Sequence, residues 1–303
     1  MIFRANAIKI SSPHKRPLPK YLGLLALAIL FLQLYLPTLT EIALICLRDD
    51  NYSHGLLLPF LSIWIICNAR LKINALTSSR ELEDKPTTIP ISGIFLLLAG
   101  LAVFIFGRQT QLLFLLWLSF FPTLIGTLYL ILGRDVARLL APAICINFLA
   151  KPLPDILAQR IFNSSQTLAA RASAVVLDVS GVPVFLKGNV IAIPGMDLLV
   201  EEACSGMRSV LALITVAIVI IVLKNARHIT KLITLLLAVL LAVIFNIVRV
   251  AGTGLMAYFV SPSIAQGFLH SFSGAIAFLL GFAVLYVVVS KLDAKNANVA
   301  SII

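Results

Sequence analysis

Three side chains near the ends of the last three apolar segments have complementary chemistry: Cys204, Arg249 and His270. A cysteine at a helix N-terminus close to cationic groups is favoured as the nucleophilic thiolate. An imidazole can take a proton and return it, and a guanidinium can hold a developing oxyanion in a site that excludes water. The three groups together could form and resolve a thioester.

The order of these residues along the chain predicts that they meet at one membrane face. Cys204 begins the sixth apolar segment, Arg249 lies well along the seventh, and His270 begins the eighth. Because the sixth and eighth segments run inward and the seventh runs outward, all three residues fall toward the outer side. Ionisable groups are costly inside a membrane helix, so each is a candidate for function.

Further charges lie beside Cys204. Arg208 follows it by four residues and therefore lies one turn further along the same helix face. Glu201 and Glu202 precede the cysteine, where carboxylates interact favourably with the helix dipole. The same carboxylates oppose formation of a thiolate, so a nearby positively charged group is expected to offset their effect.

The composition indicates which elements must position these side chains. The chain has 303 residues, of which 60% are hydrophobic and 12% are charged, and its mean hydropathy is +1.03. This composition predicts an all-α polytopic membrane protein. Segments able to cross roughly 30 Å of hydrocarbon predict about eight transmembrane helices. They cover residues 21–40, 54–68, 90–106, 111–132, 139–153, 203–223, 232–257 and 268–290.

The distribution of basic residues predicts the orientation of these helices. The formal net charge is +11, and most of the 24 Lys and Arg residues fall in segments that are cytoplasmic if the N-terminus is inside. Both termini are therefore expected in the cytoplasm, and the charge requires no nucleic-acid partner. The basic residues expected in outer segments are Arg48, Arg108, Lys151, Arg160, Arg171 and Lys187.

Residues 154–202 form the sizeable segment expected outside the membrane, on the periplasmic side. Apolar residues recur at helical spacing between 156 and 179, which predicts an interfacial amphipathic helix that ends before Gly181. The sequence VPVFL, the turn KGN and the sequence VIAI then predict a short β-hairpin. We expect this segment to serve as a lid or docking surface above the outer leaflet.

The whole chain, residues 1–303, is expected to form a single transmembrane domain with the segment 154–202 as its outer insertion. No internal repeat of fixed period is visible. The first apolar segment has no A-x-A cleavage site at its C-terminal end, and further spans follow it. We therefore expect this segment to be a retained anchor rather than a cleaved signal peptide.

Each reactive residue also has a structural interpretation. Cys204 could be a small packing residue, or it could form a disulfide with Cys46 in an oxidising compartment. Arg249 could extend its charge to the membrane surface, and His270 could be an interfacial histidine. A zinc site has little support, because no second histidine or carboxylate lies at ligand spacing near Cys204. No cofactor is expected.

Six blocks occur in order along the chain. They are DDNYSHGLLLP (49–59), KPLP (151–154), GVPVFLKGNVIAIP (181–194), EEACSGMRSV (201–210), FNIVRV (245–250) and GFLHSFSG (267–274). In these blocks the sequence resembles the exosortase family, the bacterial membrane transpeptidases related to archaeosortases. The resemblance extends over nearly the full length, and the six blocks together are much more specific than any one of them.

The resemblance implies a cysteine protease or transpeptidase with Cys204 as nucleophile and with Arg249 and His270 completing a triad. Its substrates would be tail-anchored exported proteins with a C-terminal sorting signal of the PEP-CTERM kind, often Pro-Glu-Pro followed by a membrane helix and a basic tail. The enzyme would cut this signal through a thioester and pass the protein to an acceptor of open identity. The implied location is the bacterial inner membrane, among its lipids, with the active site on the periplasmic face.

Other residues of these blocks have supporting roles in this interpretation. Arg208 competes with Arg249 for the oxyanion, and the resemblance favours Arg249. Glu202, Asn246 and His54 are expected to orient the catalytic groups or to contact the substrate.

Two other classes of function stay open at this point. In a transporter, Arg249 and His270 would line a pathway, but the charged groups crowd one face and no paired repeat is visible. A membrane acyl- or glycosyltransferase would use a lipid-linked donor, but no acidic pair or metal-binding cluster appears in the outer loops.

Overall fold

The computed structural model of the protein describes residues 18–82, 91–200, 207–224, 228–262 and 268–300. Two 3-10 helices, Asp50–Leu57 and Ile146–Ala150, connect longer elements. The α-helices with bounds inside the described ranges are α1 Leu18–Arg48, α2 Leu58–Leu82, α3 Ile91–Thr110, α4 Leu113–Leu132, α5 Arg134–Cys145, α6 Asp155–Val179, α7 Met207–Lys224, α8 His228–Phe259 and α9 Phe268–Ala300.

The prediction of an all-α polytopic membrane protein is confirmed. Within the described ranges, 6 helices are long and apolar enough to cross a membrane, and the pair 134–150 and 155–179, bent by 67°, raises the number to 7. The remaining predicted span corresponds to the shorter apolar helix Met207–Val222. The fifth and sixth predicted spans therefore differ most from the structure, one because it is part of a bent pair and the other because it is short.

Helices α3 and α4 pack closely because small residues line their contact. Gly93, Gly100 and Gly107 are buried and recur every seven residues along one face of α3. A β-carbon on Gly100 would meet the backbone and hydroxyl of Thr123, and one on Gly126 would lie 2.5 Å from the backbone nitrogen of Leu97. Such close backbone approach is a common way for membrane helices to associate.

We expect Gly126→Ala to destabilise the protein by about 1–3 kcal/mol, because the added methyl group forces the α3 and α4 backbones apart. The matched control is Gly252→Ala on α8, where an added β-carbon meets no atom within 4 Å. Thermal unfolding of the two variants in detergent measures the difference. Equal unfolding temperatures would show that the α3–α4 contact tolerates the extra volume.

The predicted helix over 156–179 is confirmed as α6, which ends at Val179, before Gly181. The helix has two different apolar faces. Small residues such as Ala169, Ala170 and Ser173 are buried against α8 and a β-sheet, whereas Ile156 and Val175 are exposed. The exposed apolar face is suited to contact with the hydrocarbon of a membrane.

A defined cap ends α6 and starts the β-sheet. The N–H of Gly181 donates to Asp178 O at 2.9 Å, and the N–H of Val182 donates to Leu177 O at 3.1 Å. These bonds form a Schellman motif, which requires the positive φ of +83° that Gly181 adopts. Val182 and Leu177 are both buried, so the cap also fixes the direction of the following strand.

The predicted hairpin is confirmed and is extended by a third strand. Strands β1 Phe185–Lys187 and β2 Val190–Ile193 pair antiparallel around the turn at Gly188–Asn189. Strand β3 Met196–Leu199 then pairs antiparallel with β2, in the register Ile193 to Met196. The sheet order is β1-β2-β3, and β3 leads directly toward residue 201.

The buried residues form three clusters, and the third joins the last helices. The first cluster links α1, α2, α4 and α5 to Phe162 of α6 and Met207 of α7. The second joins α6, the sheet and α8. In the third cluster, α7, α8 and α9 pack against one another. A β-carbon on Gly281 of α9 would lie 3.0 Å from Leu213 Cδ1 of α7 and 3.5 Å from Phe245 Cδ2 of α8.

Candidate active site

Arg249 lies against the helix face that carries His270. Its side chain is partly buried, and a β-carbon on Gly274 would lie 3.0 Å from Arg249 Nη1. Gly274 follows His270 by four residues in α9, so the two residues lie on one face a turn apart. The side chain of His270 lies outside the described residues. The structure thus places the guanidinium beside the first turns of α9, while the convergence of Arg249 with His270 stays a prediction.

The residues 201–206, which include Cys204 and Glu202, lie outside the described residues. The described part of α7 begins at Met207, whose side chain is only 5% exposed. Ser165 Oγ of α6 donates to Met207 Sδ at 3.2 Å. The chain therefore enters α7 beside α6, close to the core residues that surround Met207.

Arg208 points to a partner on a different element. Its Nη2 donates to Asp50 Oδ2 at 2.7 Å, across 158 residues of sequence. The side chains are 43% and 75% exposed, so water screens this ion pair. The buried Nε of Arg208 has no hydrogen-bond partner among the described residues. Asp50 was not among the residues singled out from the sequence.

Asn246 precedes Arg249 by three residues on α8 and is 5% exposed. It lines a small cavity of about 20 Å³ together with Ser165 of α6 and Val210 of α7. The three helices therefore meet around the asparagine. The expected role of Asn246 in orienting the catalytic groups stays a prediction.

His54 connects the two 3-10 helices. Its Nε2 lies 3.2 Å from Leu149 O. Because a carbonyl oxygen can only accept a hydrogen bond, Nε2 carries the proton and donates it to Leu149 O. The other ring nitrogen, Nδ1, is buried and has no hydrogen-bond partner among the described residues. The histidine is thus held within the first core cluster, where Leu149 also packs.

Cys46, the residue weighed as a disulfide partner of Cys204, is a free and buried thiol. Its Sγ is 3.9 Å from Ala150 O, and a β-carbon on Gly55 would meet the same sulfur at 2.6 Å. The thiol therefore fills space between the two 3-10 helices. The disulfide itself stays a prediction, because Cys204 is outside the described residues.

A mostly apolar cavity lies between α8 and α9 next to Arg249. Its volume is roughly 500 Å³, and Arg249 and Thr253 are its polar members. Val248, Met256 and Ile276 are among the apolar residues that line it. An elongated apolar group could enter here and bring an attached polar group to the guanidinium.

Lys151, the first residue of the block KPLP, is a charged residue expected in an outer segment. It is 3% exposed, and its Nζ donates to Asp155 Oδ1 at 2.5 Å. The same ammonium lies 5.3 Å from the centroid of the Tyr52 ring. The i, i+4 spacing between Lys151 and Asp155 is visible in the sequence. The burial of Lys151 depends on Tyr52, 99 residues earlier, and no local sequence pattern indicates it.

The described ranges contain no cluster of three or more His, Cys, Asp or Glu residues that could hold a metal ion. Residues 46–287 match the family model described as transmembrane exosortase. No curated protein and no solved structure matches the chain. The matched range includes all six sequence blocks and contains Cys204, Arg249 and His270.

Proposed function

The chain belongs to the transmembrane exosortase family, a family of membrane sorting enzymes, and we propose that it cuts the C-terminal sorting signal of exported proteins with Cys204 as nucleophile. The observation that carries this proposal is the contact of Arg249 with α9 one turn from His270. It supports a guanidinium and an imidazole acting together, and the family match covers the segment that supplies the thiol.

The reaction proceeds in two steps. The thiolate of Cys204 attacks the carbonyl carbon of the scissile peptide bond, and Arg249 stabilises the oxyanion that forms. The C–N bond then breaks, the leaving amine takes a proton from the His270 imidazolium, and a thioester to Cys204 remains. An amine or water attacks the thioester, gives its proton to His270, and regenerates the thiolate.

The substrate is a tail-anchored exported protein, with its membrane helix beside the enzyme and its signal at the outer face of the inner membrane. The apolar cavity next to Arg249 supports this arrangement, since its lining residues Val248, Met256 and Leu280 are apolar and exposed. The acceptor is an amine or water. Asn246 and Glu202 are proposed to orient the catalytic groups.

The experiment uses a tail-anchored reporter: an exported protein followed by a short signal segment, a membrane helix and a basic tail. Cells that produce the reporter with the enzyme should accumulate a shortened form, and cells without the enzyme should not. A reporter that keeps its full length would contradict the proposal. A reporter that gains a lipid or glycan without losing its tail would favour the lipid-linked transferase instead.

We expect Arg208→Gln to lower reporter processing by no more than about fivefold, because an exposed ion pair contributes about 0.2–1 kcal/mol. Asp50→Asn is the matched change on the partner of Arg208. The double variant should process the reporter no more slowly than either single variant. The initial rate of processing in membranes measures this. A loss for Arg208→Gln of a hundredfold or more would transfer the oxyanion role from Arg249 to Arg208.

A further inference from the structure

A large cavity lies between α1 and α6 and is lined in part by Tyr52. We call it the α1–α6 cavity; its volume is roughly 1060 Å³. Four elements line it: the end of α1, the first 3-10 helix, the α3–α4 turn and the beginning of α6. This volume is at the upper end of the range for ligand pockets, and it is large enough for a short peptide.

Lys151 supplies a buried positive charge to this cavity. Its ammonium has three N–H donors, and among the described residues its hydrogen-bond partner is Asp155, whose side chain is 75% exposed. The Tyr52 ring covers another side of the ammonium. A buried ammonium with one exposed counter-ion retains donor capacity for a second anion, and such an anion would be held away from water.

Asn51 supplies a buried acceptor to the same cavity. The residue is 7% exposed, and its Oδ1 is buried without a hydrogen-bond partner among the described residues. Its backbone N–H is already bound to Asp49 Oδ1 at 2.9 Å, which fixes the residue at the start of the 3-10 helix. A buried acceptor is satisfied by a donor from a ligand, and a peptide N–H is such a donor.

The remaining walls favour a peptide with a single carboxylate. Leu112, Phe114 and Ile156 provide apolar surface for side chains. The lining also contains the carboxylates Glu41, Asp49 and Asp155 against the cations Arg48 and Lys151. These carboxylates outnumber the cations by one, so they oppose a multiply charged group such as a lipid phosphate more strongly than a single carboxylate paired with Lys151.

The first 3-10 helix links the α1–α6 cavity to α7, because its Asn51 lines the cavity and the neighbouring Asp50 binds Arg208 of α7. Tyr52 lines the cavity and packs on Phe162, with the ring centroids 6.4 Å apart. Both rings belong to the core cluster that includes Met207, which follows Cys204 by three residues. A peptide in the cavity would therefore contact the same 3-10 helix that binds Arg208, which follows Cys204 by four residues in the sequence.

We infer that the α1–α6 cavity binds the peptide segment of the substrate that precedes its membrane helix, with an acidic side chain paired to Lys151 and a backbone N–H donated to Asn51. The inference rests on the proposed function, which it extends by assigning a site that selects the signal by charge. Lys151 is thus a specificity-determining residue and takes no part in the bond-breaking steps.

The test measures kcat and KM in proteoliposomes for three reporters, with Glu, Gln or Lys in the signal segment. For the wild type, KM should rise at least about tenfold from the Glu to the Gln reporter, with kcat almost unchanged. Lys151→Gln should raise KM for the Glu reporter by the same factor and should leave the Gln reporter unaffected. Lys151→Glu should prefer the Lys reporter.

Lys187→Gln is the matched control, because Lys187 is an exposed lysine on β1. It should leave all three KM values unchanged. Equal KM values of the wild type for the Glu and Gln reporters would overturn the inference, even if the Lys151 variants failed to fold. An equal loss for both reporters in Lys151→Gln would also overturn it, since it would show a structural role.

Two further measurements distinguish peptide binding in the cavity from lipid binding, and test the proposed catalysis separately. Proteoliposomes of phosphatidylcholine alone are compared with proteoliposomes that contain phosphatidylglycerol. If Lys151→Gln changed the response to phosphatidylglycerol but not the response to the signal charge, the cavity would bind lipid phosphate, and the inference would fail. Cys204→Ala in the same membranes tests the proposed function separately, because its effect does not depend on the charge of the signal.

Discussion

Cys204→Ala is expected to lower reporter processing by about 10⁴-fold or more, because the variant has no nucleophile for the thioester. The alanine removes one sulfur atom and leaves a side chain suited to the start of an apolar helix. The reporter should therefore still bind while it keeps its full length. Immunoblots of the reporter over time measure the rate, and crosslinking of the reporter to the enzyme measures binding.

The other cysteines provide matched controls for this result. Cys67→Ala and Cys145→Ala remove exposed free thiols from other parts of the chain, and both should process the reporter at a rate within about twofold of the wild type. The wild type should also form a reporter adduct that hydroxylamine releases, as expected for a thioester. Processing by Cys204→Ala at the wild-type rate would exclude the cysteine mechanism.

Arg249→Lys is expected to lower kcat by about 10²–10³-fold, because it removes a planar donor fork from the oxyanion. The charge is kept, so the loss would come from geometry rather than from electrostatic attraction alone. Gly274→Val tests the same contact from α9, because its added atoms would displace Arg249 Nη1, 3.0 Å from the β-carbon position. Its kcat should also fall, with the guanidinium still present.

Arg160→Lys is the matched control for Arg249→Lys, since Arg160 is exposed on α6. It should leave kcat unchanged. Thermal unfolding of each variant in detergent distinguishes lost chemistry from lost folding. If Arg249→Lys kept the wild-type kcat, the guanidinium would have no role in stabilising the oxyanion.

Elements defined by local pattern could be predicted from the sequence. The hydropathy segments correspond to helices, α6 ends before Gly181 as expected, and the hairpin turns at Gly188. The third strand was not predicted, although its signal was present. Pro194 and Gly195, with φ of +87° at the glycine, form a turn that returns the chain antiparallel to β2.

Contacts between distant segments could not be predicted in this way. The apolar residues of α6 predicted a membrane-surface helix, but the buried face that packs on α8 contains mostly small residues beside Leu177, and such a face has a weak hydrophobic pattern. The pairs Asp50–Arg208 and Lys151–Tyr52 depend on how whole helices meet, so no spacing rule points to them. The helix α5 is short and strongly amphipathic, which explains why its predicted span differs from the structure.

The sequence indicated that Arg249 and His270 would approach each other, because antiparallel neighbouring helices bring the end of one beside the beginning of the next. Arg249 Nη1 lies beside Gly274 of α9, and its approach to the side chain of His270 stays a prediction. The choice between Arg208 and Arg249 needed long-range structure. Arg208 engages Asp50, while Arg249 lies against α9, and this difference supports Arg249 as the oxyanion residue.

The most direct test of the account is a crosslink between positions 204 and 270. The variant His270→Cys is made in a chain in which Cys46, Cys67 and Cys145 are replaced by alanine, so that Cys204 and the new cysteine are the two thiols present. Mild oxidation in native membranes should join them, and a membrane-impermeant maleimide should label both from the same side. Two thiols that never crosslink and that are labelled from opposite sides of the membrane would contradict the account.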